Sequence, residues 1–336
     1  MTRNERTPRR RRPSKRRADG LRAKRNKRKL TTVAVVLGVV LVAALAAGAW
    51  YYNNLSNRLA ADETTVAEVA AVLETQTADV ESGARPAYIL LLGSDARPGQ
   101  GRSRSDSIVI ARLDKKTKRV SLLAIPRDTR VPVPGHGYTK LAHANAYGGP
   151  ALAITTVKNY TGLPINHYIE MNFAGFARMV DALGGVRINV DVTIDDKHGA
   201  NTGGVSTVTY ISKGEQVLNG AQALTYVRAR NIAGGDGARM KHQQVFLKAL
   251  ATQALASGNR SHLPGVINAA ADNIKTDLKV PAILAIAQDF QGFKGDSIKT
   301  YNAKGKGGKI GGVYYIVPDA VKSQALFRAF QNGVAK

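Results

Sequence analysis

Two aspartates, Asp95 and Asp106, bracket one loop, and arginines crowd the same stretch: Arg97, Arg102 and Arg104 inside the loop, Arg127 beyond the next apolar run. A carboxylate pair at one loop offers the hard oxygen ligands that Mg²⁺ (or Mn²⁺) takes, alongside phosphate and water. Guanidinium stays charged, and its fork matches phosphate oxygens bidentately. Arg228 and Arg230 sit in TYVRARN and would share a face if that segment were extended. Arg239 and Gln243, four apart, fall on one side of a helix that also carries Met240, Phe246, Leu247 and Leu250. Together these residues describe a metal-bridged pyrophosphate site. The plainer reading is turn aspartates beside a solvated basic face. Glycine breaks at Gly93, Gly99, Gly101, Gly234, Gly235 and Gly237 weigh toward chemistry. The run KLAHANAYGG adds Lys140, His143 and Asn145, with His143 either a general base or a structural residue. No second histidine has metal spacing, so zinc is not expected. Asp236 is an N-cap or a catalytic group with equal weight.

These side chains must be positioned by a sheet edge. AYILLLGSD gives a buried strand over 87–92, SIVIARLD a strand over 107–114, and RVSLLAIP a strand over 119–126 stopped by Pro126. Short connections make the three an antiparallel meander. Strand ends then meet with a spacing of roughly 5 Å. The 93–106 loop and Arg127-Asp128 share one edge of that meander, and the Lys115 turn lies at the other. Helices are expected at 149–160, 173–183, 215–226, 238–257, 263–274 and 280–291, and further strands at 166–171, 186–193 and 312–317. Interleaved strands and helices imply a three-layer α/β/α sandwich on a mixed central sheet, preceded by one transmembrane helix.

That helix is read from the N-terminus. The chain has 336 residues, no cysteine and a formal charge of +25. Lack of cysteine excludes disulfides, thiolate metal sites and cysteine nucleophiles. Residues 1–29 hold fifteen Lys/Arg against two acidic residues, which leaves +12 for the rest. This leader is too polar to bury a core and reads as a disordered cytoplasmic tail. An uncharged stretch of 21 residues follows, long enough to cross a bilayer, with Trp50, Tyr51 and Tyr52 at its outer end. We read 30–52 as an uncleaved anchor rather than a signal peptide cut at Ala47-Gly48-Ala49. Residues 53–84 are a stalk helix, and 85–336 form the extracytoplasmic domain. The basic tail is a topology signal, so nucleic acid is not an expected partner.

The blocks LLLGSDARP, RSDSIVIARLD, LLAIPRDTRV, KLAHANAYGGP, DALGGVRINV, GEQVLNGAQALTYVRARN and GGDGARMKHQQ, in that order over roughly 85–255, resemble the signature of the LytR-CpsA-Psr family. The resemblance implies an enzyme that moves a glycopolymer, of teichoic acid, capsule or arabinogalactan type, from a polyprenyl pyrophosphate carrier to peptidoglycan. It places metal-binding aspartates on Asp95 and Asp106. It places pyrophosphate-binding residues on Arg104, Arg127, Arg228 and Arg230, with Arg97, Lys140, Arg239 and Gln243 in matching blocks. Arg often precedes the glutamine pair in the family, whereas this chain has His242, so His242 carries no expectation of phosphate binding. Transfer would proceed by attack of a sugar hydroxyl, with Asp106 or Asp128 taking its proton. The prenyl chain would need an apolar slot, either Phe173, Phe176, Met179 and Val180 or Ile283, Leu284 and Ile286, all of which equally suit simple core packing. Two other functions stay open: hydrolysis with water as acceptor, and a non-catalytic lipid-binding scaffold.

Overall fold

The structure, a computed structural model, describes residues 44–75, 78–94, 96, 101–196, 201–202, 205–206, 208, 210–230, 232–256, 262–291 and 297–333. Asp95 and Arg97 lie outside the described residues. Two compact units divide between Asn54 and Leu55. Of the first, residues 44–54 are described and are helical. No helix among the described residues is long and apolar enough to cross a membrane; of the expected span, 30–43 lie outside them.

The second unit begins with residues packed on the domain. Leu55 and Leu59 are buried, and Arg58 pairs with Asp272 at 2.8 Å. Helix α1 (Glu63–Val72) is capped by Asp62, whose carboxylate accepts from the Thr65 amide, and it buries Val69.

The expected meander is present. β1 (Ala87–Ser94), β2 (Ser105–Asp114) and β3 (Arg119–Ala124) pair antiparallel, with Leu90 opposite Ile110 and Ile110 opposite Leu123. A hairpin of β4 (Arg130–Val133) and β5 (Gly137–Lys140) follows. Helix α2 (Leu141–Thr161) starts earlier than expected and breaks at Gly148-Gly149-Pro150. Gly149 has φ +64, and a Cβ there would stand 3.1 Å from Arg102 Nε, so only glycine suits the break.

β6 (His167–Asn172) lies parallel to β1 and leads directly into α3 (Phe173–Ala182), capped by Asn172. β7 (Val186–Val190) pairs with β8 (Gly214–Leu218), then come α4 (Gly220–Arg228) and α5 (Gly235–Ala254). The helix expected over 215–226 is thus a strand followed by a helix. Asn219 and Gln222 form a reciprocal capping box that fixes the helix start at Gly220. The N-cap of α5 is Gly234, not Asp236. The chain continues through α6 (Leu263–Ala270), β9 (Ile274–Thr276), α7 (Val280–Asp289), β10 (Ile298–Asn302), the hairpin β11 (Gly305–Ile310) and β12 (Val313–Pro318), and α8 (Ala320–Gln331).

The main sheet runs β9-β6-β1-β2-β3-β10. It is mixed, because β6 lies parallel to β1 and β10 parallel to β3. Alternate residues feed two cores. Tyr88, Leu90, Leu92 and Ile110 pack with Val69 of α1, Ile154 and Val157 of α2, and Phe327 and Phe330 of α8. Ile89, Val109 and Leu122 pack on the other face with Leu247 of α5 and with Ile283 and Ile286 of α7. Helices on both faces make the layers α/β/α. A third cluster gathers Val180, Val186, Ile188, Leu218, Tyr226 and Phe246 from α3, β7, β8, α4 and α5.

Candidate active site at the sheet edge

The carboxyl ends of β1 and β6 and the amino end of β2 meet at one edge, where ligands of open α/β sheets bind. A cavity of about 490 Å³ opens there. Its floor is Leu91 and Gly93 of β1, Asp106, Ser107 and Val109 of β2, and Ile169 of β6. Helices α3, α4 and α5 wall it with Phe173, Phe176, Met179, Leu224, Val227 and Phe246. Arg127, Arg228, Arg230, Arg239, Asp106 and Asp196 belong to the same lining. One chamber therefore combines an apolar slot with four guanidinium groups and two carboxylates.

Asp106 accepts a hydrogen bond from Arg127 Nη1. Arg127 Nε lies 3.7 Å from Asp128, and Asp128 accepts Lys140 Nζ at 2.8 Å. Charges thus alternate along Asp106, Arg127, Asp128 and Lys140, each holding its neighbour's side chain in place. Arg228 is the last residue of α4, and Arg230 lies just past it. They reach the same cavity through a helix end and its exit, not through strand alternation. The Arg228 guanidinium stands 4.8 Å over the Phe173 ring, joining the polar and apolar parts of the chamber.

On α5, Arg239 and Gln243 both line the cavity, as their spacing requires. Arg239 is only 5% exposed, a costly place for a guanidinium unless opposing charge or ligand oxygens face it. Gln243 is clamped: its Oε1 accepts Ser107 Oγ at 3.3 Å and its Nε2 donates to the Val227 carbonyl at 3.2 Å. His242 points away from the chamber. It is 1% exposed, stacks on Tyr226 and bonds the Tyr226 carbonyl and Asp191. Its role is to tie α5 to α4 and to the end of β7.

The remaining candidates separate. Lys140 and Arg104 do not line the cavity, though both stand close enough to act on His143 electrostatically. Val180 is fully buried in the third cluster, turned from the slot that its helix-mates Phe173, Phe176 and Met179 form. Ile283 and Ile286 serve the sheet core, and none of Ile283, Leu284 and Ile286 lines the cavity. Arg102 pins the α2 break, donating to the Tyr147 carbonyl at 3.4 Å. Asp196, Leu224 and Val227 were not foreseen, because nothing in their local pattern marks a cavity wall.

His143 Nδ1 lies 2.9 Å from Thr139 Oγ1. Burial, with Arg104 and Lys140 nearby, holds its imidazole below the ordinary histidine range, so it is neutral at pH 7. Asn145 donates to the Ser103 carbonyl and to Glu170 Oε1, and burial pushes the Glu170 carboxyl up. No group of three or more His, Cys, Asp or Glu side chains gathers as a metal site among the described residues. A divalent cation would depend on Asp106, on Asp95 outside the described residues, and on ligand oxygens. The local chemistry fits: β1 ends with Ser94 opposite Ser105, one residue from each aspartate. The buried Ser105 Oγ has no hydrogen-bond partner among the described residues.

An α/β sandwich with an arginine-rimmed, apolar-walled chamber at its carboxyl edge defines a protein built to hold an anionic amphiphile. The sequence profile of the LytR_cpsA_psr family matches residues 51–332, and the chain belongs to that family. It is 33% identical over 309 residues to the polyisoprenyl-teichoic acid–peptidoglycan teichoic acid transferase TagU of Enterococcus faecalis, covering 89% of this chain and 95% of that protein. It is 32% identical over 261 residues to the corresponding transferase TagV of Bacillus subtilis, covering 75% of this chain and 66% of that one. The crystal structure of B. subtilis TagV superposes with a TM-score of 0.65 at 31% identity, over 75% of this chain and 99% of that chain. A structure of TagT bound to LI-WTA superposes with a TM-score of 0.62 at 30% identity, over 75% and 92%.

Proposed function

We propose that this protein transfers a phosphate-linked glycopolymer from a polyprenyl pyrophosphate carrier to peptidoglycan. The observation that carries the reading is the single chamber in which Phe173, Phe176 and Met179 adjoin Arg127, Arg228, Arg230 and Arg239. A hydrocarbon chain with a pyrophosphate head requires both surfaces at once. The relatives named as teichoic acid transferases support the same chemistry.

In the transfer, a sugar hydroxyl of the acceptor attacks the phosphorus that carries the glycan. The phosphoanhydride bond breaks, and polyprenyl phosphate leaves. The arginines bind the phosphate oxygens and neutralise the charge that develops, the main source of rate in phosphoryl transfers. Asp106 and Asp95 would hold Mg²⁺, which supplies further neutralisation of the pyrophosphate. Asp106 or Asp128, the latter fixed by Lys140, or else the neutral His143 would take the hydroxyl proton. With the span at 30–52, the domain faces outward, where carrier and wall meet. Residues 1–29 stay cytoplasmic against anionic lipid.

The test uses the full chain in detergent with a synthetic polyprenyl-pyrophosphate glycan, a peptidoglycan oligomer and Mg²⁺ or EDTA. Glycan joined to the oligomer by a phosphodiester, lost in Arg228→Ala and with EDTA, is the expected product mass. Release of polyprenyl phosphate with an unmodified oligomer would instead establish a hydrolase. Lipid binding without turnover would establish a scaffold.

A further inference from the structure

Asp106 reaches the chamber through an irregularity in its strand. Along β2, Ile108 and Ile110 belong to the core under α2, while Ser107 and Val109 line the cavity on the other face. Strict alternation would turn Asp106 toward the α2 core with Ile108, away from the cavity. The pairing with β1 shows why it does not. Gly93 faces Ser107 and Ser94 faces Ser105, so the register skips Asp106. Asp106 is the extra residue of a β-bulge, a device that re-aims a side chain at the end of a strand. It thereby lines the cavity beside Ser107 and accepts a hydrogen bond from Arg127.

A bulge beside a loop must be held in place, and α2 supplies the hold. Asn145 is 2% exposed. Its Nδ2 donates to the Ser103 carbonyl at 3.0 Å and to Glu170 Oε1 of β6 at 2.8 Å. Ser103 stands three residues before Asp106, so one amide group ties the approach to the bulge to a strand two places away in the sheet. Arg102 adds a second tie to the same turn of α2, donating to the Tyr147 carbonyl. The surroundings argue against simple packing as the reason for Asn145. Leu141, Ala144, Ile154 and Val157 of α2 and Leu90 and Leu92 of β1 make this core apolar. Asparagine is a poor residue inside a helix, and its partner Glu170 is a carboxyl in a costly place, pushed up by burial. We propose that Asn145 is a positioning residue that fixes the Ser103 carbonyl, locks the bulge and so aims the Asp106 carboxylate at Arg127 and the pyrophosphate site. The inference rests on the donor-site reading above for what Asp106 meets; the bulge and its clamp stand without it.

The test uses the full chain in detergent and reads local order and donor binding separately. Asn145→Leu keeps the volume and removes the hydrogen-bond donor. Hydrogen exchange at the backbone amides of residues 105–107 should quicken about tenfold, while residues 109–113 of the same strand keep their wild-type rates. Affinity for farnesyl pyrophosphate with Mg²⁺, measured by titration calorimetry, should fall about tenfold. In an Asp106→Asn background the same Asn145→Leu change should cost less than about twofold, because Asn145 acts through Asp106. Asn145→Ala, which cannot overpack the site, should repeat both results. Wild-type exchange at 105–107, faster exchange spread along the whole strand, or an equal loss of affinity with and without the Asp106 carboxylate overturns the proposal. If wild type does not bind farnesyl pyrophosphate and exchange at 105–107 still quickens selectively, the clamp on the bulge stands and the donor-site reading falls.

Discussion

Arg127 stands between two carboxylates and beside the chamber, so its charge is aimed rather than merely present. Replacing it with lysine keeps the charge and loses the fork that spans Asp106 and Asp128. Turnover of Arg127→Lys should fall by roughly 10²–10³, the scale of removing one preorganised electrostatic donor. A milder loss, below tenfold, would mean that Arg127 only props Asp106. His143 makes a second expectation. Its imidazole is held below the ordinary range, so the neutral base persists as pH falls and is lost only once pH drops through that lowered value. As the proton acceptor it gives kcat an acid limb that lies at lower pH than an ordinary histidine would set. His143→Gln should lower kcat by roughly 10²–10⁴ and remove that limb. An unaltered limb would assign the proton to Asp106 or Asp128. Glu170 illustrates the opposite sign. Burial raises its folded pKa, so above that value the folded state carries a poorly solvated charge. Glu170→Gln can still accept from Asn145 Nδ2. It should raise the melting temperature at pH 7 and leave it unchanged near pH 3, where both states are protonated. At this scale the gathering of Arg127, Arg228, Arg230 and Arg239 in one cavity was legible, because their charge is fixed by type, whereas Arg104 lies outside its lining. The roles of Lys140, Gln243 and His242 were not, because each depends on partners distant in sequence: Asp128, Ser107 and Asp191.

Elements carry those side chains to the edge, and two joints decide whether they arrive. One is the approach of α4 to α3. A Cβ on Gly220 would stand 2.3 Å from the Ala177 carbonyl, and the Gly220 amide donates to Asp181 at 2.8 Å. Gly220→Ala should therefore cost about 1–3 kcal/mol by forcing the helices apart. It should weaken donor binding too, since Arg228 ends α4 and Phe173 begins α3. The other joint is His242, between α5, α4 and the end of β7. His242→Ala strands a buried carbonyl and leaves a void, costing about 2–3 kcal/mol by urea denaturation. A phosphate-binding residue would instead lose affinity with little loss of stability. The meander and the helices α3 and α7 were readable because their apolar periods are clean; α5 was readable by its length and the spacing of Phe246, Leu247 and Leu250, although its buried side also holds Arg239, His242 and Gln244. The stretch 215–226 was not. EQVLNGAQAL satisfies either period locally, and the pairing with β7 and the Asn219 capping box decide it. β10 and α8 carry no comparable signal, because IKTYN is short and α8 buries little beyond Ser323, Phe327 and Phe330.

The whole molecule couples a folded domain to a basic, apolar N-terminal segment, and the meaning of the site depends on which side of a membrane the domain occupies. A pyrophosphate chamber facing the cytoplasm would meet carrier lipid but no peptidoglycan. The charge distribution argues for the outside. Residues 1–29 hold fifteen of the 49 Lys/Arg residues, immediately before an uncharged run, and such blocks stay cytoplasmic. The sequence itself supplies a clean test, because it contains no cysteine. Ser14→Cys reports on the basic segment, and Ser212→Cys reports on an exposed position of the domain. With a membrane-impermeant maleimide on intact cells, Ser212→Cys should label at once. Ser14→Cys should label only after the membrane is permeabilised. The same pair separates an anchor from a cleaved leader: if residues 1–49 are removed, the Ser14→Cys label is absent from the mature protein even in lysed cells, and the domain is released from the membrane fraction. Labelling of Ser14→Cys alone would place the domain inside, away from any wall acceptor. The chamber would then have to serve carrier lipid by hydrolysis or binding rather than by transfer.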